Sequence, residues 1–315
     1  MKSPILAGIG IVAVAVAVIA FTQIQPAPNQ AGTAPAADSK MLVIASFYPL
    51  YEFTKNVAGD RAEVVSFTPI GIEPHDWEPS TGDILRLKDA RIFIYNGANF
   101  EPFVEKLVDS GEYKDVVFVE TAVGISLVTG DVRDEHEDHV GYDPHIWLDP
   151  ILAKQQVATI KSALALADPK NSAYYEKNAA VYSEKLDALD AKIRARIADC
   201  KKDTFVPFHN AFTYFAQRYD LNVFPLSGIA PESEATASEI KDFIDFVKKH
   251  DIKVIFSEEL VDPRLADVLA DEAGAKVMVF SPMEGLSEED IKAGKTYLDK
   301  MEENLDNLKV GLECQ

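Results

Sequence analysis

The chain has 315 residues, of which 47% are hydrophobic and 26% charged, a composition typical of a globular protein. Its 51 acidic and 31 basic side chains give a formal net charge of −20. This balance argues against a nucleic-acid partner, which would require a basic face, and suits either cation attraction or simple solubility.

The first forty residues differ from the rest of the chain. An uncharged apolar run extends over 18 residues, from Pro4 to Phe21, which is about the length needed to cross a bilayer. We therefore expect residues 1–21 to be a membrane anchor or a cleaved export signal. Residues 22–40 are rich in Gln, Ala and Pro and are expected to form a flexible tether. Either alternative places the globular part of the chain outside the cell membrane.

From Met41 onward, short apolar segments rich in β-branched residues alternate with stretches of helical periodicity. This alternation predicts a parallel sheet covered by helices on both faces. We expect residues 41–150 to form an N-terminal α/β lobe. Its predicted strands are Met41–Phe47, Glu63–Thr68, Arg91–Tyr95 and Val116–Val119, and its predicted helices are Tyr48–Gly59, Thr81–Asp89 and Glu101–Asp109.

Residues 151–199 are predicted to form a helical connector of two helices, Ile151–Leu166 and Lys170–Asp199. In the second helix, apolar residues recur every three or four positions, as one buried face of an α-helix requires. These residues are Tyr175, Ala179, Tyr182, Leu186, Leu189, Ile193 and Ile197. At a rise of 1.5 Å per residue the helix is about 45 Å long, enough to run along two lobes and to limit their opening.

The alternation resumes in residues 200–315, which we expect to form a C-terminal α/β lobe. Its predicted strands are Thr204–Pro207, Lys253–Phe256 and Lys276–Phe280, and its predicted helices are Asn210–Tyr219, Ser238–His250 and Pro263–Ala273. The predicted fold is therefore an α/β protein with two similar lobes, mostly parallel sheets and one long connecting helix, with any metal site at the lobe interface.

The chain contains two cysteines, Cys200 and Cys314. In an exported protein an even number of cysteines favours a disulfide, and two unrelated thiols are the alternative. A disulfide here would close a loop of more than about 100 residues, to which the chain-entropy model assigns about 4–5 kcal/mol of stabilisation.

Three histidines far apart in sequence have proline and aromatic neighbours: His75 in EPHDWEP, His145 in DPHIWLDP and His209 in VPFHNAF. Proline fixes its own φ and restricts the preceding residue, so each segment can hold its imidazole in a fixed direction. Neutral imidazole is the commonest protein ligand for borderline metals such as Zn²⁺. Because open α/β sheets bind ligands beyond the carboxyl ends of their strands, we expect the three rings to converge between the lobes.

Four stretches resemble those of the metal-specific solute-binding proteins of ABC transporters, which include the periplasmic zinc-uptake and manganese-uptake proteins. They are Pro74–Ser80, Asn96–Glu101, Asp143–Pro150 and His209–Leu221. The resemblance extends from about Met41 to the C-terminus. It implies two similar α/β lobes joined by one long helix, and it matches His75, His145 and His209 to the histidine ligands of zinc-type members.

The segment after the last predicted strand is where the resemblance implies a fourth ligand. Many relatives have an aspartate there, whereas this chain has Ser281, whose neutral hydroxyl is a poor zinc ligand. Other zinc-type relatives resemble this chain in the pattern Pro-x-Glu-Gly-Leu, which makes Glu284 the fourth ligand. A solvated Glu284 with water completing the site is the alternative. Glu258 is expected to be a hydrogen-bond partner behind the ligands, or else a surface acid.

Between the first two histidines, residues 131–139 form an acidic run that contains His136 and His139. The run resembles a short version of the family's His-rich loop. It is expected either to capture metal weakly and pass it inward or to be only a solvated loop.

We therefore expect an extracytoplasmic, monomeric receptor that captures Zn²⁺ and delivers it to an ABC permease, as the resemblance implies, rather than an enzyme. Three imidazoles favour Zn²⁺ over the harder Mn²⁺, which is the alternative cargo. A zinc hydrolase is an alternative function, because three histidines plus water also form a catalytic design, although no His-Glu-x-x-His motif occurs. An adhesin, which some relatives resemble, is a further alternative.

Overall fold

The computed structural model describes residues 40–75, 77–134, 137–229 and 235–315, with the backbone alone described for 130–134 and 137–140. The expected anchor or signal, and all of the expected tether except Lys40, lie outside the described residues. Among the described residues, no helix combines the length and the apolar composition that crossing a membrane requires.

Four parallel strands form the N-terminal sheet: β1 (Met41–Ala45), β2 (Ala62–Ser66), β3 (Ile92–Tyr95) and β4 (Val117–Glu120). Their order across the sheet is β2-β1-β3-β4. The central strand β1 is apolar on both faces. Val43 and Ala45 pack into the main core of the protein, whereas Ile44 packs into a second apolar cluster on the opposite face. The predicted parallel sheet with two covered faces is confirmed.

Helices α1 (Tyr48–Ala58), α2 (Thr81–Arg86) and α3 (Pro102–Ser110) follow β1, β2 and β3. Ser80 begins α2 with a capping box, in which its hydroxyl accepts from the Asp83 N–H and the Asp83 carboxylate accepts from the Ser80 N–H. The irregular segment between β2 and α2 contains His75.

A β-hairpin, β5 (Thr129–Asp134) and β6 (Glu137–Tyr142), occupies most of the acidic run that was expected to be a loop. Its antiparallel ladder extends from the Thr129–Tyr142 pair to the Asp134–Glu137 pair, so backbone hydrogen bonding outweighs the low apolar content of the run. His136 lies outside the described residues.

The connector consists of α4 (Pro150–Ala167) and α5 (Ser172–Ile197), separated by a 3-10 turn, Pro169–Asn171. Both helices agree with the predicted ranges to within two residues. The predicted apolar stripe of α5 is buried from Tyr175 to Ile193, and Ile197 at its end is partly buried. The 26 residues of α5 give it a length of about 39 Å.

The C-terminal sheet contains β7 (Thr204–Pro207), β8 (Asn222–Val223), β9 (Val254–Ser257) and β10 (Lys276–Val279), in the parallel order β10-β9-β7-β8. Its helices are α6 (Thr213–Arg218), α7 (Ala237–Lys249), α8 (Arg264–Ala273), α9 (Glu288–Ala293) and α10 (Tyr297–Gly311). The sequence analysis did not predict β8, α9 or α10. It also began α6 too early, at Asn210, whose N–H instead bonds the carbonyl of Gly228.

Helix α5 contacts both halves of the molecule. The Asn178 side chain donates to the Val57 carbonyl at the end of α1, and Lys192 pairs with Glu302 of α10 at 2.7 Å. One continuous apolar cluster includes residues of both sheets, such as Val43 and Phe256. Moving the two sheets apart would therefore expose core surface.

A disulfide joins Cys200, three residues after α5, to Cys314, three residues after α10. The two cysteines also form an isolated antiparallel bridge. Nearby, the Lys202 N–H donates to the Leu312 carbonyl. The disulfide and this hydrogen bond together attach the end of α10 to the segment that leads into β7.

Candidate metal centre

Loops from both halves of the molecule bring four predicted metal-site residues together. His75 lies between β2 and α2, His145 lies just before α4, His209 lies two residues after β7, and Glu284 lies five residues after β10. Their metal-binding atoms all lie within 4.8 Å of one another. His209 and Glu284 both lie beyond the carboxyl ends of strands, where open α/β sheets bind ligands.

The separations between the donor atoms match a tetrahedral zinc site. Glu284 Oε1 lies 3.3 Å from His75 Nε2, 3.0 Å from His145 Nε2 and 3.7 Å from His209 Nε2. The Nε2 atoms of His145 and His209 are 3.4 Å apart. A tetrahedron whose corners lie about 2.0–2.2 Å from its centre has edges of about 3.3–3.6 Å. The separations of Glu284 from the three histidines, and of His145 from His209, are therefore close to those that a four-coordinate Zn²⁺ requires.

Two of the histidines, His145 and His209, form hydrogen bonds through Nδ1 to carboxylates. His145 Nδ1 lies 2.8 Å from Asp143 Oδ1, and His209 Nδ1 lies 2.5 Å from Glu258 Oε1. Each carboxylate accepts the Nδ1 proton, so Nε2 is the nitrogen that faces the metal site. Glu258, for which the sequence suggested a place behind the ligands, contacts His209 in this way. Asp143 was not singled out, although its position two residues before His145 is a detectable signal.

Three of the four proposed ligands are completely buried, and this burial affects their pKa values. Burial alone would raise the pKa of Glu284, but the facing histidines outweigh it and hold that pKa well below the usual range. Burial works to lower the pKa values of His145 and His209, but the adjacent carboxylates outweigh it and raise both. Each buried ligand is therefore stabilised in its charged form by a partner of opposite charge.

His75 is the most accessible of the four ligands. Its side chain is 11% exposed, whereas those of His145, His209 and Glu284 are fully buried. Its ring packs edge-on against Phe100, with the centroids 4.9 Å apart. Solvent and metal therefore reach the centre most directly past the His75 segment.

Glu73 is a functional neighbour that the sequence analysis missed. Its carboxylate accepts the His75 backbone N–H at 3.2 Å, and it forms a second group of potential ligand atoms with Glu258 and Glu284. Burial, followed by the charge of Glu284, raises the pKa of Glu73 to about 10. Glu73 is thus neutral near pH 7 in the metal-free protein, and the pattern Glu-Pro-His was the only signal for it.

Two residues of the Asn96–Glu101 stretch, Asn96 and Glu101, support the loop that contains His145. The buried Glu101 carboxylate accepts the N–H groups of Asn96 and Gly97 and the hydroxyl of Ser46. The Asn96 side chain then donates to the carbonyl of Pro144, the residue before His145, at 2.9 Å. This part of the sequence resemblance therefore has a structural role in shaping the second ligand loop.

Trp147 joins the His145 loop to the C-terminal half of the molecule. Its indole N–H donates to the Pro282 carbonyl at 2.7 Å, and its own carbonyl accepts the Tyr297 hydroxyl at 2.6 Å. Both bonds are buried, so the separation between the loops of His145 and Glu284 is fixed by contacts outside the metal centre.

Replacing Glu258 by alanine is expected to weaken zinc binding by about 10- to 100-fold, because His209 loses the acceptor that sets its tautomer and direction. Glu258→Gln retains an acceptor oxygen and should recover part of the loss. Competition titration against a chromophoric chelator measures the effect. Glu272→Ala, which changes an exposed carboxylate on α8, is the matched control. An unchanged affinity in Glu258→Ala would show that the hydrogen bond is dispensable.

Comparison with known proteins finds zinc-uptake proteins. The family model described as ZnuA, zinc-uptake complex component A periplasmic, matches residues 43–311. The high-affinity zinc uptake system protein ZnuA of Bacillus subtilis is 38% identical over 289 residues, which cover 89% of this chain and 90% of that protein. The zinc-binding lipoprotein AdcA of Streptococcus pneumoniae is 39% identical over 87% of this chain, and the chain spans 56% of AdcA.

Solved structures give the same picture. The Zn(II)-bound ZnuA-like domain of S. pneumoniae AdcA superposes with a TM-score of 0.77 at 38% identity, over 87% of this chain and all of that domain. The laminin-binding protein Lmb of Streptococcus agalactiae, described as having adhesin and metal transporting activity, has a TM-score of 0.79 at 33% identity, with 87% and 100% coverage. The predicted two-sheet α/β fold therefore occurs in proteins of similar sequence.

Proposed function

Because this chain belongs to the ZnuA family of periplasmic zinc-uptake components, we propose that it captures Zn²⁺ outside the cell membrane and delivers it to an ABC transporter. The family is one of binding receptors, so the chain is a transport receptor and not an enzyme. Zn²⁺ is the cargo, in agreement with the Zn(II)-bound relative and with the donor set.

The observation that carries this function is the convergence of His75, His145, His209 and Glu284, whose ligand atoms all lie within 4.8 Å of one another. We propose these four side chains as the zinc ligands. Catalytic zinc sites keep one position for water or substrate, whereas sites closed by four protein ligands do not. A fourth protein donor therefore supports binding and release of the ion itself, and it argues against the hydrolase alternative. Three imidazoles also favour Zn²⁺ over Mn²⁺.

The direct test is the metal content and zinc stoichiometry of the purified protein. We expect one tightly bound Zn²⁺ per chain, and Mn²⁺ should compete only weakly. Delivery is then tested by zinc uptake into cells that carry or lack the gene for this chain. Failure to bind zinc stoichiometrically would overturn both the ligand assignment and the transport function.

Zinc affinity is expected to fall as the pH is lowered from about 8 to about 5.5, because protons compete with the metal for the Nε2 lone pairs. The pKa values of His145 and His209 are raised above the ordinary value of 6.5, so the loss should begin above pH 6.5. Each displaced proton contributes about a tenfold change per pH unit. Titrations at several pH values, with folding followed by circular dichroism, measure this. A flat profile would count against histidine ligation.

Anchoring and assembly state complete the proposal. We propose that residues 1–21, with their uncharged apolar run from Pro4 to Phe21, attach the protein to the outer face of the membrane or direct its export, with residues 22–40 as the tether. We also propose that the receptor is a monomer, because all four ligands come from one chain. Mass determination of the native N-terminus and light scattering of the zinc-loaded protein test these two points.

Adhesion is a second candidate, favoured by the likeness to Lmb. If the chain binds laminin, immobilised laminin should retain it at micromolar concentration, and the binding should be saturable. A protein that transports zinc but does not bind laminin would restrict the function to metal uptake.

A further inference from the structure

The turn that presents Glu284 has an unfavourable backbone conformation. Met283, immediately before Glu284, adopts φ 65° and is completely buried. A non-glycine residue reaches this left-handed region only where the surrounding structure enforces it. The next residue, Gly285, is closely surrounded, since an added Cβ would lie 2.8 Å from a terminal methyl of the Leu260 side chain and 3.4 Å from the Ile72 carbonyl oxygen. The position of the fourth ligand must therefore be imposed by contacts around the turn.

Asn304 of α10 supplies the most specific of these contacts. Its side-chain oxygen accepts the Ser281 N–H at 2.8 Å, and its side-chain nitrogen donates to the Ser281 carbonyl at 2.7 Å. Both residues are buried, at 4% and 1% exposure. This pair of bonds fixes the orientation of the Ser281 peptide groups, three residues before Glu284.

Asn304 and Lys300 are the two polar side chains on the buried face of α10. The buried neighbours of Asn304 along α10 include Met301, Leu305 and Leu308, which pack into the main core. A buried amide is costly unless its polar atoms are bonded, and both polar atoms of Asn304 are used on Ser281. Packing alone does not account for an asparagine at this position.

The Ser281 side chain adds a second set of bonds to the same turn. Its hydroxyl donates to Glu259 Oε1 at 2.5 Å and accepts the Met283 N–H at 3.1 Å. Lys300, one turn before Asn304, lies 3.3 Å from the same Glu259 oxygen. Two residues of α10 thus act on the turn, Asn304 directly and Lys300 through Glu259.

We propose that Asn304 is a positioning residue for zinc binding, which holds the Ser281–Gly285 turn so that Glu284 reaches the three histidines. The inference rests on the proposed zinc-receptor function. Asn304 does not touch the metal. It acts by keeping the Glu284 oxygen in place before zinc arrives, so that binding does not require the strained turn to form.

The first test compares Asn304→Ala with Asn307→Ala in the full protein. Asn307 lies one turn further along α10 and is only partly buried. Its side chain donates to the Val279 carbonyl at 2.8 Å, so it anchors the same segment before the ligand turn begins. We expect Asn304→Ala to lower zinc affinity by about 10- to 100-fold, as loss of support behind a ligand does. Asn307→Ala should leave the affinity unchanged.

A second readout separates positioning from general destabilisation. Co²⁺ bound in place of Zn²⁺ reports coordination geometry through its visible absorption, which is strong in tetrahedral sites. Asn304→Ala should weaken or shift this absorption, whereas Asn307→Ala should not. In a Glu284→Ala background, Asn304→Ala should have no further effect on zinc affinity, because its action passes through Glu284. Equal losses in the Asn304 and Asn307 variants, or additive effects with Glu284→Ala, would overturn the proposal.

Asn304→Thr covers the case in which the alanine variant does not fold. Threonine has a similar volume, carries no charge and can retain one of the two bonds to Ser281. A smaller loss of zinc affinity is therefore expected than in Asn304→Ala. A zinc affinity equal to that of the parent would overturn the proposal. If the parent protein itself binds no stoichiometric zinc, the proposed function fails. If the parent and Glu284→Ala behave as expected but the Asn304 variants bind normally, only this inference fails.

Discussion

Replacing His209 by alanine is expected to lower the zinc affinity by about 100- to 1000-fold. Four-ligand zinc sites have apparent binding free energies of about 10–16 kcal/mol, so each ligand contributes about 2.5–4 kcal/mol on average. His209 is completely buried, and its Nε2 lies 3.4 Å from that of His145. In the variant, a water molecule in the space left by the ring would take the place of the imidazole as a zinc ligand. That water would lack the hydrogen bond to Glu258 that orients His209. Competition titration of the two proteins against the same chelator gives the ratio directly.

The matched control is His250→Ala. His250 lies at the end of α7, where its ring stacks on Phe246 with the centroids 4.3 Å apart, and it is not among the grouped metal-binding residues. Its loss should leave zinc stoichiometry and affinity unchanged. If His209→Ala bound zinc as tightly as the parent, the metal would have to lie elsewhere, and the receptor function would lose its structural basis.

The repeating features of the fold could be predicted because they depend on local pattern. The stripe from Tyr175 to Ile193 recurs at helical spacing, and every member of it is buried. The strand β1 is apolar without interruption, as a strand buried on both faces requires. Each of these signals lies within one element, so distant contacts are not needed to interpret it.

Helix α10 was missed although the chain carries a signal for it. Thr296 and Asp299 form a capping box, and Tyr297, Met301, Leu305 and Leu308 recur at intervals of four, four and three residues. The sequence analysis ended its assignment at the last strand. Consequently it also missed Asn304, whose only distinguishing mark in the sequence is a polar residue on an apolar face.

Some residues of the metal centre could likewise be predicted from local sequence pattern, and others could not. His75, His145 and His209 could be proposed because proline and aromatic neighbours mark each of them locally. Glu73 approaches Glu284, which lies more than 200 residues later in the chain. This contact arises only because two loops fold against each other. Contacts between carboxyl groups so far apart in the chain leave no periodic trace, and a single sequence does not indicate them.

The disulfide gives the largest expected effect on stability. Replacing Cys200 and Cys314 together by serine is expected to lower the free energy of unfolding by about 4–5 kcal/mol, because the bond closes a long loop in the unfolded chain. The two cysteines are separated by 114 residues. For a chain of this size the change corresponds to a fall in melting temperature of roughly 10 °C. Chemical denaturation of the parent and the double variant measures it.

Zinc must be removed for this comparison, because a ligand that binds only the folded state stabilises it by mass action and would hide the loss. In chelator, reducing the parent should reproduce the destabilisation, whereas the same reductant should leave the double variant unchanged. Equal stability of the oxidised and reduced parent would show that the bond contributes nothing. Zinc affinity should be nearly unaffected at low temperature, since Asn304 and the buried face of α10 hold the ligand turn through contacts that do not involve the sulfur atoms. The disulfide would then determine how long the receptor stays folded outside the cell. Asn304 would determine how tightly the receptor binds zinc.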